Sequence, residues 1–435
     1  MKILIKHGHV IDPLTKRDGW FDVLVDGGRI QKVAEGIMDE ADRVIDAAGC
    51  YVLPGFIDLH VHLRDPGLTH KETLNSGGRA AARGGVTTVC AMPNTKPVID
   101  DGKKVADVHR RAKTECPVNV IQIGAVTKEQ KGVELADIEG MAKAGCHAIS
   151  EDGKSVMDAS LYRKGMKLAK AQGLSVFAHC EDITMVEGGV MNADENAKRL
   201  GLKGITNSVE DVIAARDILL AKETGVRLHL CHCSTADSVK MVAAAKREGL
   251  LVTGEVCPHH FILTSDDIGE DNGNYKMNPP LRRRADVEAL REGLKNGVMD
   301  VISTDHAPHA AQEKDKSMAQ AAFGIVGLET SAALTYTYLV KPGLLSMMDM
   351  AEKMSYNPAK ILGISERGSV SEGKTADVVV FDPERTYRID KHTFFSKGKN
   401  TPFDGFLVSG EVRYTLVGGE VVYEAECPGS GEKTV

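Results

Sequence analysis

Residues 54–67 read PGFIDLHVHLRDPG, and the rest of the chain is organised around this stretch. It is typical of a short buried strand that runs into a loop. Side chains alternate between the two faces of a strand, so His60 and His62 point one way and their apolar neighbours the other. Two imidazoles on one face can bind a single metal ion from one side. Arg64 continues on that face and adds a planar cation suited to a carboxylate.

The alternative for a lone His-x-His pair is two buried histidines satisfied by hydrogen bonds. That alternative must also explain Arg64 and the acids and histidines that end later strands.

Length and composition favour a large globular enzyme. The 435 residues are too many for one small domain, and 42% hydrophobic with 26% charged residues is typical of a packed protein. The formal net charge of −7 argues against a nucleic-acid surface, and no apolar run is long enough to span a membrane. The N-terminus lacks the features of a signal peptide. Nine scattered cysteines without a Cys-x-x-Cys pair indicate reduced thiols, so we expect a cytoplasmic protein.

Short alternating segments at both ends predict a small β domain. They are residues 2–5, 22–25 and 30–33 near the N-terminus, and residues 376–381, 412–417 and 420–423 near the C-terminus. We expect residues 1–50 and 364–435 to form one β-sandwich, and residues 51–363 to form the catalytic domain.

The middle of the chain alternates strands and helices, which predicts a parallel sheet with crossover helices. The eight candidate strands are residues 52–62, 86–92, 118–126, 147–150, 175–179, 227–232, 251–256 and 300–305. Eight such units predict an α/β fold of the (β/α)8 type, in which chemistry takes place at the carboxyl ends of the strands. Polar residues fall at those ends, namely His60, His62, Asn94, Asp152, His179, His232 and Asp305.

The four histidines and two aspartates of this set suit Zn²⁺ or a similar divalent ion. One ion needs only three protein ligands and water. Six candidates therefore indicate two ions, about 3.5–4 Å apart, that share a bridging carboxylate and a bridging hydroxide. A nearby acid could carry a proton from the nucleophile to a leaving nitrogen. The residues alone predict metal-assisted hydrolysis, or its reverse, at a carbonyl carbon.

Seven motifs together resemble the long bacterial class of dihydroorotases, which belong to the cyclic amidohydrolases. They are DLHVHLRDPG at 58–67, AMPNT at 91–95, SEDG at 150–153, AHCE at 178–181, HCST at 232–235, MNPPLR at 277–282 and TDHAPH at 304–309. The resemblance covers nearly the whole chain, including the small β domain. It implies a zinc enzyme of pyrimidine biosynthesis that interconverts N-carbamoyl-L-aspartate with L-dihydroorotate and water.

The resemblance also implies roles for the metal-facing residues. His60, His62 and Asp305 would bind one zinc, and His179 and His232 the second. In the hydrolytic direction a metal-bound hydroxide would attack, with Asp305 as general acid and base.

One position departs from the pattern of many relatives, which carry a carboxylated lysine that bridges the metals. Asp152 stands there in this chain, while Lys154 is out of phase and past the strand end. We interpret Asp152 as the bridging or metal-facing acid and Lys154 as a solvated loop residue.

The family's substrate contacts map onto two groups of residues. Arg64, Asn94 and His309 would hold the α-carboxylate, and Asn278, Phe323 and the backbone around Gly324 would contact the ring amides. The alternative for Asn94 is a turn residue after Pro93, and for His309 a histidine of a surface loop. Residues 310–324 form either a lid that excludes water or an ordinary exposed insertion.

Two rival functions stay open at this point. Dihydropyrimidinases, hydantoinases and allantoinases share the scaffold, but they typically carry the bridging lysine and lack an arginine two residues after the second histidine. A non-catalytic paralogue that scaffolds aspartate transcarbamoylase would have lost metal ligands, whereas all six positions are filled here. We expect a small-molecule substrate, a homo-oligomer and a complex with aspartate transcarbamoylase.

Overall fold

The computed structural model describes residues 1–426. The first five strands of the chain belong to a sheet that lies beside a barrel. These strands are β1 (Ile3–Asp12), β2 (Arg17–Asp26), β3 (Arg29–Ala34), β4 (Arg43–Asp46) and β5 (Tyr51–Pro54). Strands β2 and β3 form a hairpin with Asp26 opposite Arg29. The two glycines between them have φ of 55° and 75°, the left-handed conformation that a two-residue hairpin turn requires.

A closed barrel of parallel strands follows. Its strands are β6 (Phe56–Val61), β7 (Val86–Ala91), β8 (Asn119–Gln122), β9 (Gly124–Ala125), β10 (Ala148–Ser150) and β11 (Ser175–Ala178), then β14 (Arg227–Leu230), β15 (Val252–Val256) and β16 (Val301–Ile302). A separate parallel pair comprises β12 (Met191–Asn192) and β13 (Gly204–Ile205). The barrel closes where Val61 bridges His306 and the His62 N–H donates to the His306 carbonyl at 2.8 Å. The predicted (β/α)8 architecture is confirmed.

Two predicted strands are divided. Residues 52–62 form β5 and β6, because Gly55 between them donates its N–H to Asp377 of the other sheet. A Cβ at Gly55 would lie 2.3 Å from the Thr87 hydroxyl, so only glycine fits this crossing. Residues 118–126 form β8 and β9, which are separated by Ile123.

Thirteen α-helices lie in the described chain. They are α1 (Leu74–Arg83), α2 (Gly102–Glu115), α3 (Ile138–Lys143), α4 (Ala159–Ala171), α5 (Glu195–Leu200), α6 (Ser208–Thr224), α7 (Ala236–Arg247), α8 (Pro258–Ile262), α9 (Arg284–Lys295), α10 (Ala311–Lys314), α11 (Ser331–Thr335), α12 (Met347–Ala351) and α13 (Asn357–Leu362). Helix α1 begins at a capping box in which the Thr73 hydroxyl accepts the Ser76 N–H. No helix between residues 1 and 426 has the length and apolar character needed to cross a membrane.

Strands from both ends of the chain join in one eight-stranded sheet. The C-terminal strands are β17 (Val378–Arg388), β18 (Leu407–Val417) and β19 (Glu420–Glu424). The order is β19-β18-β17-β5-β1-β2-β3, with β4 beside β1. Alternation gives the sheet two apolar faces: Val378 and Val380 pack in its own core, while Val379 and Phe381 join the barrel core. Strand β5 begins just after the predicted boundary at residue 50 and pairs within this sheet.

Candidate active site

The six predicted metal ligands lie together at the carboxyl ends of the barrel strands, and each is between 0% and 6% exposed. His60 Nε2 lies 3.1 Å from Asp152 Oδ1, and His62 Nε2 lies 3.1 Å from Asp305 Oδ1. His179 Nδ1 lies 2.8 Å from His232 Nε2 and 3.5 Å from Asp152 Oδ1. Imidazole nitrogens from the ends of three strands, β6, β11 and β14, therefore surround two carboxylates.

Strained backbone accompanies these strand ends. His232, Asp305 and Arg64 have φ of 33°, 47° and 58°, in the left-handed region that residues other than glycine rarely adopt. Each such residue costs about 1–3 kcal/mol and persists only where its surroundings fix it. The side chains of all three residues line one cavity.

Three of the histidines are anchored through the ring nitrogen that faces away from the centre. The pairs are His60 Nδ1 with Glu255 Oε1 at 2.9 Å, His62 Nδ1 with Asn94 Oδ1 at 2.9 Å, and His179 Nε2 with Glu181 Oε2 at 3.1 Å. An acceptor on one nitrogen fixes the proton there and leaves the other nitrogen free as a ligand.

Glu255 is the anchor that the sequence analysis missed. Its carboxylate is fully buried, contacts His60 and His229, and accepts the backbone N–H of His232. Burial alone would raise the pKa of Glu255, but hydrogen bonds from His229 and His60 outweigh it and hold the pKa well below its usual range. An acid within the apolar strand β15 is the signal that could have identified it.

The central atoms fit a bound divalent cation. His60 Nε2 and Asp152 Oδ1 are buried and have no hydrogen-bond partner; although 3.1 Å apart, they are not aligned for a hydrogen bond. Buried polar atoms without a partner cost free energy, and an ion between imidazole and carboxylate would satisfy both. Among the six predicted ligands, two groups have ligand atoms within 4.8 Å of one another, namely His60, His62 and Asp305, and His60, Asp152 and His232. Since His60 is shared, the donor set suits one ion or a closely spaced pair.

A cavity of about 330 Å³ opens onto this centre. Arg64, Asn94, Asn278, His309, Phe323 and Gly324 line it together with five of the six metal-facing residues. Arg64 is buried and donates from Nε to the Pro308 carbonyl at 3.3 Å. His309 donates from Nε2 to the Phe323 carbonyl at 2.8 Å, and burial with the charges of Arg64 and Lys71 lowers the pKa of His309 to about 3. The fixed positive charge beside the centre therefore belongs to Arg64.

The two asparagines differ in what they leave free. Asn94 accepts from His62 through Oδ1 and donates from Nδ2 to Asp152 Oδ2 at 3.2 Å, so both ends of its amide contact metal-facing residues. Asn278 donates from Nδ2 to Glu181 Oε1 at 2.9 Å. Within residues 1–426 its carbonyl oxygen has no hydrogen-bond donor, which suits a substrate N–H.

Lys154 lies outside this cavity. Its side chain is exposed, and Nζ donates to the Gln130 carbonyl at 3.0 Å. Residues 310–324, by contrast, are packed onto the site: Lys314, Met318 and Ala321 are buried. Lys71 was not predicted from the sequence, and its Nζ lies 3.3 Å from His309 Nδ1.

Comparison with known proteins identifies relatives over nearly the whole chain. A dihydro-orotase-like family model matches residues 49–238. A dihydroorotase of Ruminiclostridium cellulolyticum is 46% identical over 422 residues, which covers 97% of this chain and 98% of the relative. A dihydroorotase of Acetivibrio thermocellus is 46% identical over 420 residues, with the same coverage of both chains.

Solved structures of related enzymes share the architecture. L-hydantoinase (dihydropyrimidinase) of Arthrobacter aurescens aligns with a TM-score of 0.88 and 29% identity, over 97% of this chain and 96% of that one. Dihydropyrimidinase of Brevibacillus agri aligns with a TM-score of 0.86 and 25% identity, over 98% and 95%. The identity to the dihydroorotases is higher and extends over both the barrel and the small sheet. With this near full-length similarity and a set of candidate metal ligands at the strand ends, the chain belongs to the dihydroorotase family of cyclic amide hydrolases.

Proposed function

We propose that this protein catalyses the reversible conversion of N-carbamoyl-L-aspartate to L-dihydroorotate and water, with zinc at the strand-end site. The 46% identity to dihydroorotases over nearly the full chain supports the reaction. One observation carries the chemistry: the unpartnered Asp152 Oδ1, which lies 3.1 Å from the unpartnered His60 Nε2, lines the same cavity as the buried cation Arg64. A hydrolytic metal centre and a carboxylate site would thus stand side by side.

The proposed ligands form two sets. His60, His62 and Asp305 would hold one zinc, and His179 and His232 a second, with Asp152 between them. Because an aspartate reaches less far than a carboxylated lysine, we expect the second ion to be held more weakly. When bound, the ions would polarise the substrate carbonyl and lower the pKa of a water molecule to near 7.

Asp305 would act as general base and then as general acid. Asp305 Oδ1 lies 3.1 Å from His62 Nε2 and 3.5 Å from His60 Nε2, and a divalent ion held among these atoms would keep the carboxylate in its ionised form. The carboxylate is therefore ionised and able to accept a proton from the attacking water. As the new carbon–oxygen bond forms and the ring carbon–nitrogen bond breaks, Asp305 would deliver that proton to the leaving nitrogen. Cyclisation reverses these steps.

The remaining residues would bind and orient the substrate. Arg64, Asn94 and His309 would hold the carboxylate that takes no part in the reaction, with Arg64 supplying the charge. Asn278, Phe323 and the Gly324 backbone would contact the ring amides, and the free Asn278 oxygen would accept a substrate N–H. Such fixed contacts hold the reacting atoms close to their geometry of attack.

A second candidate is hydrolysis of another cyclic amide. The TM-score of 0.88 to an L-hydantoinase favours it. Arg64 and the aspartate at position 152 argue against it, because hydantoins without a carboxylate would leave Arg64 buried and unpaired.

The test is an assay of zinc-loaded protein with dihydroorotate, hydantoin, dihydrouracil and allantoin, alone and with aspartate transcarbamoylase added. We expect turnover of dihydroorotate, and none of it in the Asp305→Asn variant. Turnover of hydantoin or allantoin without dihydroorotate would show the assignment to be wrong.

A further inference from the structure

A buried lysine away from the metal-facing residues contacts two loop segments that line the cavity. Lys314 ends helix α10 and is 2% exposed. Its Nζ donates to three backbone carbonyls: Lys276 at 2.9 Å, Ala322 at 2.8 Å and Gly324 at 2.8 Å. An ammonium group has three N–H donors, so every one is used. Burial, together with the charge of Lys276, lowers the pKa of Lys314 to about 7, and three carbonyl partners favour the charged form.

The three carbonyls belong to two segments that line the cavity. Residues 276–278 carry Asn278, and residues 322–324 carry Phe323. The segments meet where the Gly324 N–H donates to the Lys276 carbonyl at 3.0 Å. Lys314 therefore contacts both sides of this junction.

At Gly324 the junction is held by hydrogen bonds from other parts of the chain to the backbone. Its φ is +124°, and an added Cβ would lie 2.6 Å from the Ala307 Cβ. A residue without a side chain can be held only through its backbone groups. The Gly324 carbonyl accepts from Lys314 and from Asn400 Nδ2 at 3.0 Å, and both donors come from elsewhere in the chain.

The residue before Lys314 extends the attachment to the carboxylate side of the cavity. Glu313 Oε1 lies 2.9 Å from Lys71 Nζ, and Lys71 Nζ lies 3.3 Å from His309 Nδ1. Two consecutive residues of helix α10 thus connect residues 310–324 to both ends of the cavity.

We infer that Lys314 is a positioning residue for substrate binding, which holds the Lys276 and Gly324 backbones so that Asn278 and Phe323 form one wall of the cavity. It does not touch the substrate. The inference deepens the proposed function and rests on it, because the wall is assigned to the ring amides of dihydroorotate.

The test compares two buried lysines. Lys353 is 5% exposed and donates to the Met299 carbonyl at 3.0 Å, at the opposite end of strand β16 from the site. Lys314→Met and Lys353→Met each remove a buried ammonium, and both should lower the melting temperature. Only Lys314→Met should raise KM for dihydroorotate, by about tenfold, with kcat changed less than about threefold. Lys314→Arg, which keeps charge and donors, should recover part of the loss.

A second readout does not depend on turnover. Hydrogen exchange of the Gly324 amide in substrate-free protein should accelerate in Lys314→Met and stay at the wild-type rate in Lys353→Met. Unchanged KM in Lys314→Met, whether or not the amide exchanges faster, would overturn the inference, as would equal KM changes in the two variants. If Lys314→Met does not fold, Lys314→Gln is measured in its place. A wild-type protein inactive on dihydroorotate would instead contradict the proposed function, while faster exchange would still show that Lys314 holds Gly324.

Discussion

The two sides of the cavity are built on different principles. The strand wall comprises His60, His62, Asp152, His179, His232 and Asp305, all at the ends of barrel strands. The loop wall comprises residues 276–278, 307–309 and 322–324. The strand wall presents side-chain atoms, two of which have no partner, whereas the loop wall is held by hydrogen bonds from Lys314 and Asn400 to its backbone.

The difference separates two tasks. The unpartnered atoms of His60 and Asp152 lie beside the strained backbone of His232 and Asp305 and are placed to receive an ion, which agrees with chemistry on that side. The hydrogen-bonded backbone groups of the loop wall fix the shape of the cavity, which agrees with substrate selection on that side. Changes in the strand wall should therefore reduce kcat and metal content, and changes in the loop wall should raise KM.

The largest effect is expected from Asp305→Asn. It removes the proposed proton carrier and weakens a ligand, so kcat should fall by at least about a thousandfold. Asp217→Asn is a matched control, since Asp217 is equally buried but pairs with Arg216 away from the site. Steady-state kinetics measure kcat of both variants. A loss of kcat below tenfold in Asp305→Asn would show that Asp305 is not the proton carrier.

Asp152→Ala should reduce kcat about a hundredfold and also lower the zinc content, because an inward-facing ligand is lost. Wild-type protein stripped of metal should regain activity in zinc whether or not bicarbonate is present, with one zinc held tightly and a second lost readily. Elemental analysis and reconstitution in CO₂-free buffer measure this. Recovery only with bicarbonate, or a carbamate mass on Lys154, would make Lys154 the bridge.

Arg64→Met should reduce kcat/KM about a hundredfold, on the scale of a buried charge-assisted pair, and leave the zinc content unchanged. Arg64→Lys keeps the charge but loses the planar fork, so an intermediate value is expected. Near-normal kcat/KM in Arg64→Met would exclude it from the carboxylate site.

Glu255→Gln should weaken zinc binding about tenfold, because His60 loses the acceptor that orients it. Competition with a chelator measures the affinity. Glu210→Gln is the control: Glu210 is also buried but contacts serines rather than a metal-facing histidine. Equal zinc affinities in Glu255→Gln and Glu210→Gln would show that Glu255 makes no specific contribution to zinc binding.

The smallest effect concerns pH and the loop wall. The pKa of His309 is lowered from 6.5 to about 3, so between these values the unfolded chain binds a proton that the folded chain does not. Stability should therefore fall as pH decreases below 6.5, and His309→Gln should reduce the loss of melting temperature between pH 7 and pH 5 by about one degree. A melting-temperature difference between pH 7 and pH 5 that is the same in His309→Gln as in the wild type would show that His309 is protonated in the folded protein.

The sequence predicts the strand wall better than the loop wall, for a physical reason. Alternation in β6 and the position of acids after apolar strands are local rules, and they locate His60, His62 and Asp152. Which histidine nitrogen faces inward depends on partners far along the chain: Glu255 for His60 is 195 residues away.

The loop wall depends almost wholly on such distant contacts. The polar sequence of residues 310–324 predicts either a lid or an exposed insertion. Lys314 is nevertheless buried, and its ammonium group donates to backbone carbonyls that include that of Lys276, 38 residues earlier. No periodicity marks a lysine whose partners are backbone atoms. Glu255 differs, since an acid inside an apolar strand is visible in the sequence.

The place of β5 in the small sheet has a consequence for how the site is made in the cell. Only Gly55 separates β5 from β6, which carries His60, and β5 pairs on one side with β1 and on the other with β17. Strand β17 starts at Val378, so that edge of β5 has no partner until most of the 435 residues have left the ribosome. The first histidine strand is thus secured late in synthesis, and the candidate metal site is completed only in a nearly finished chain.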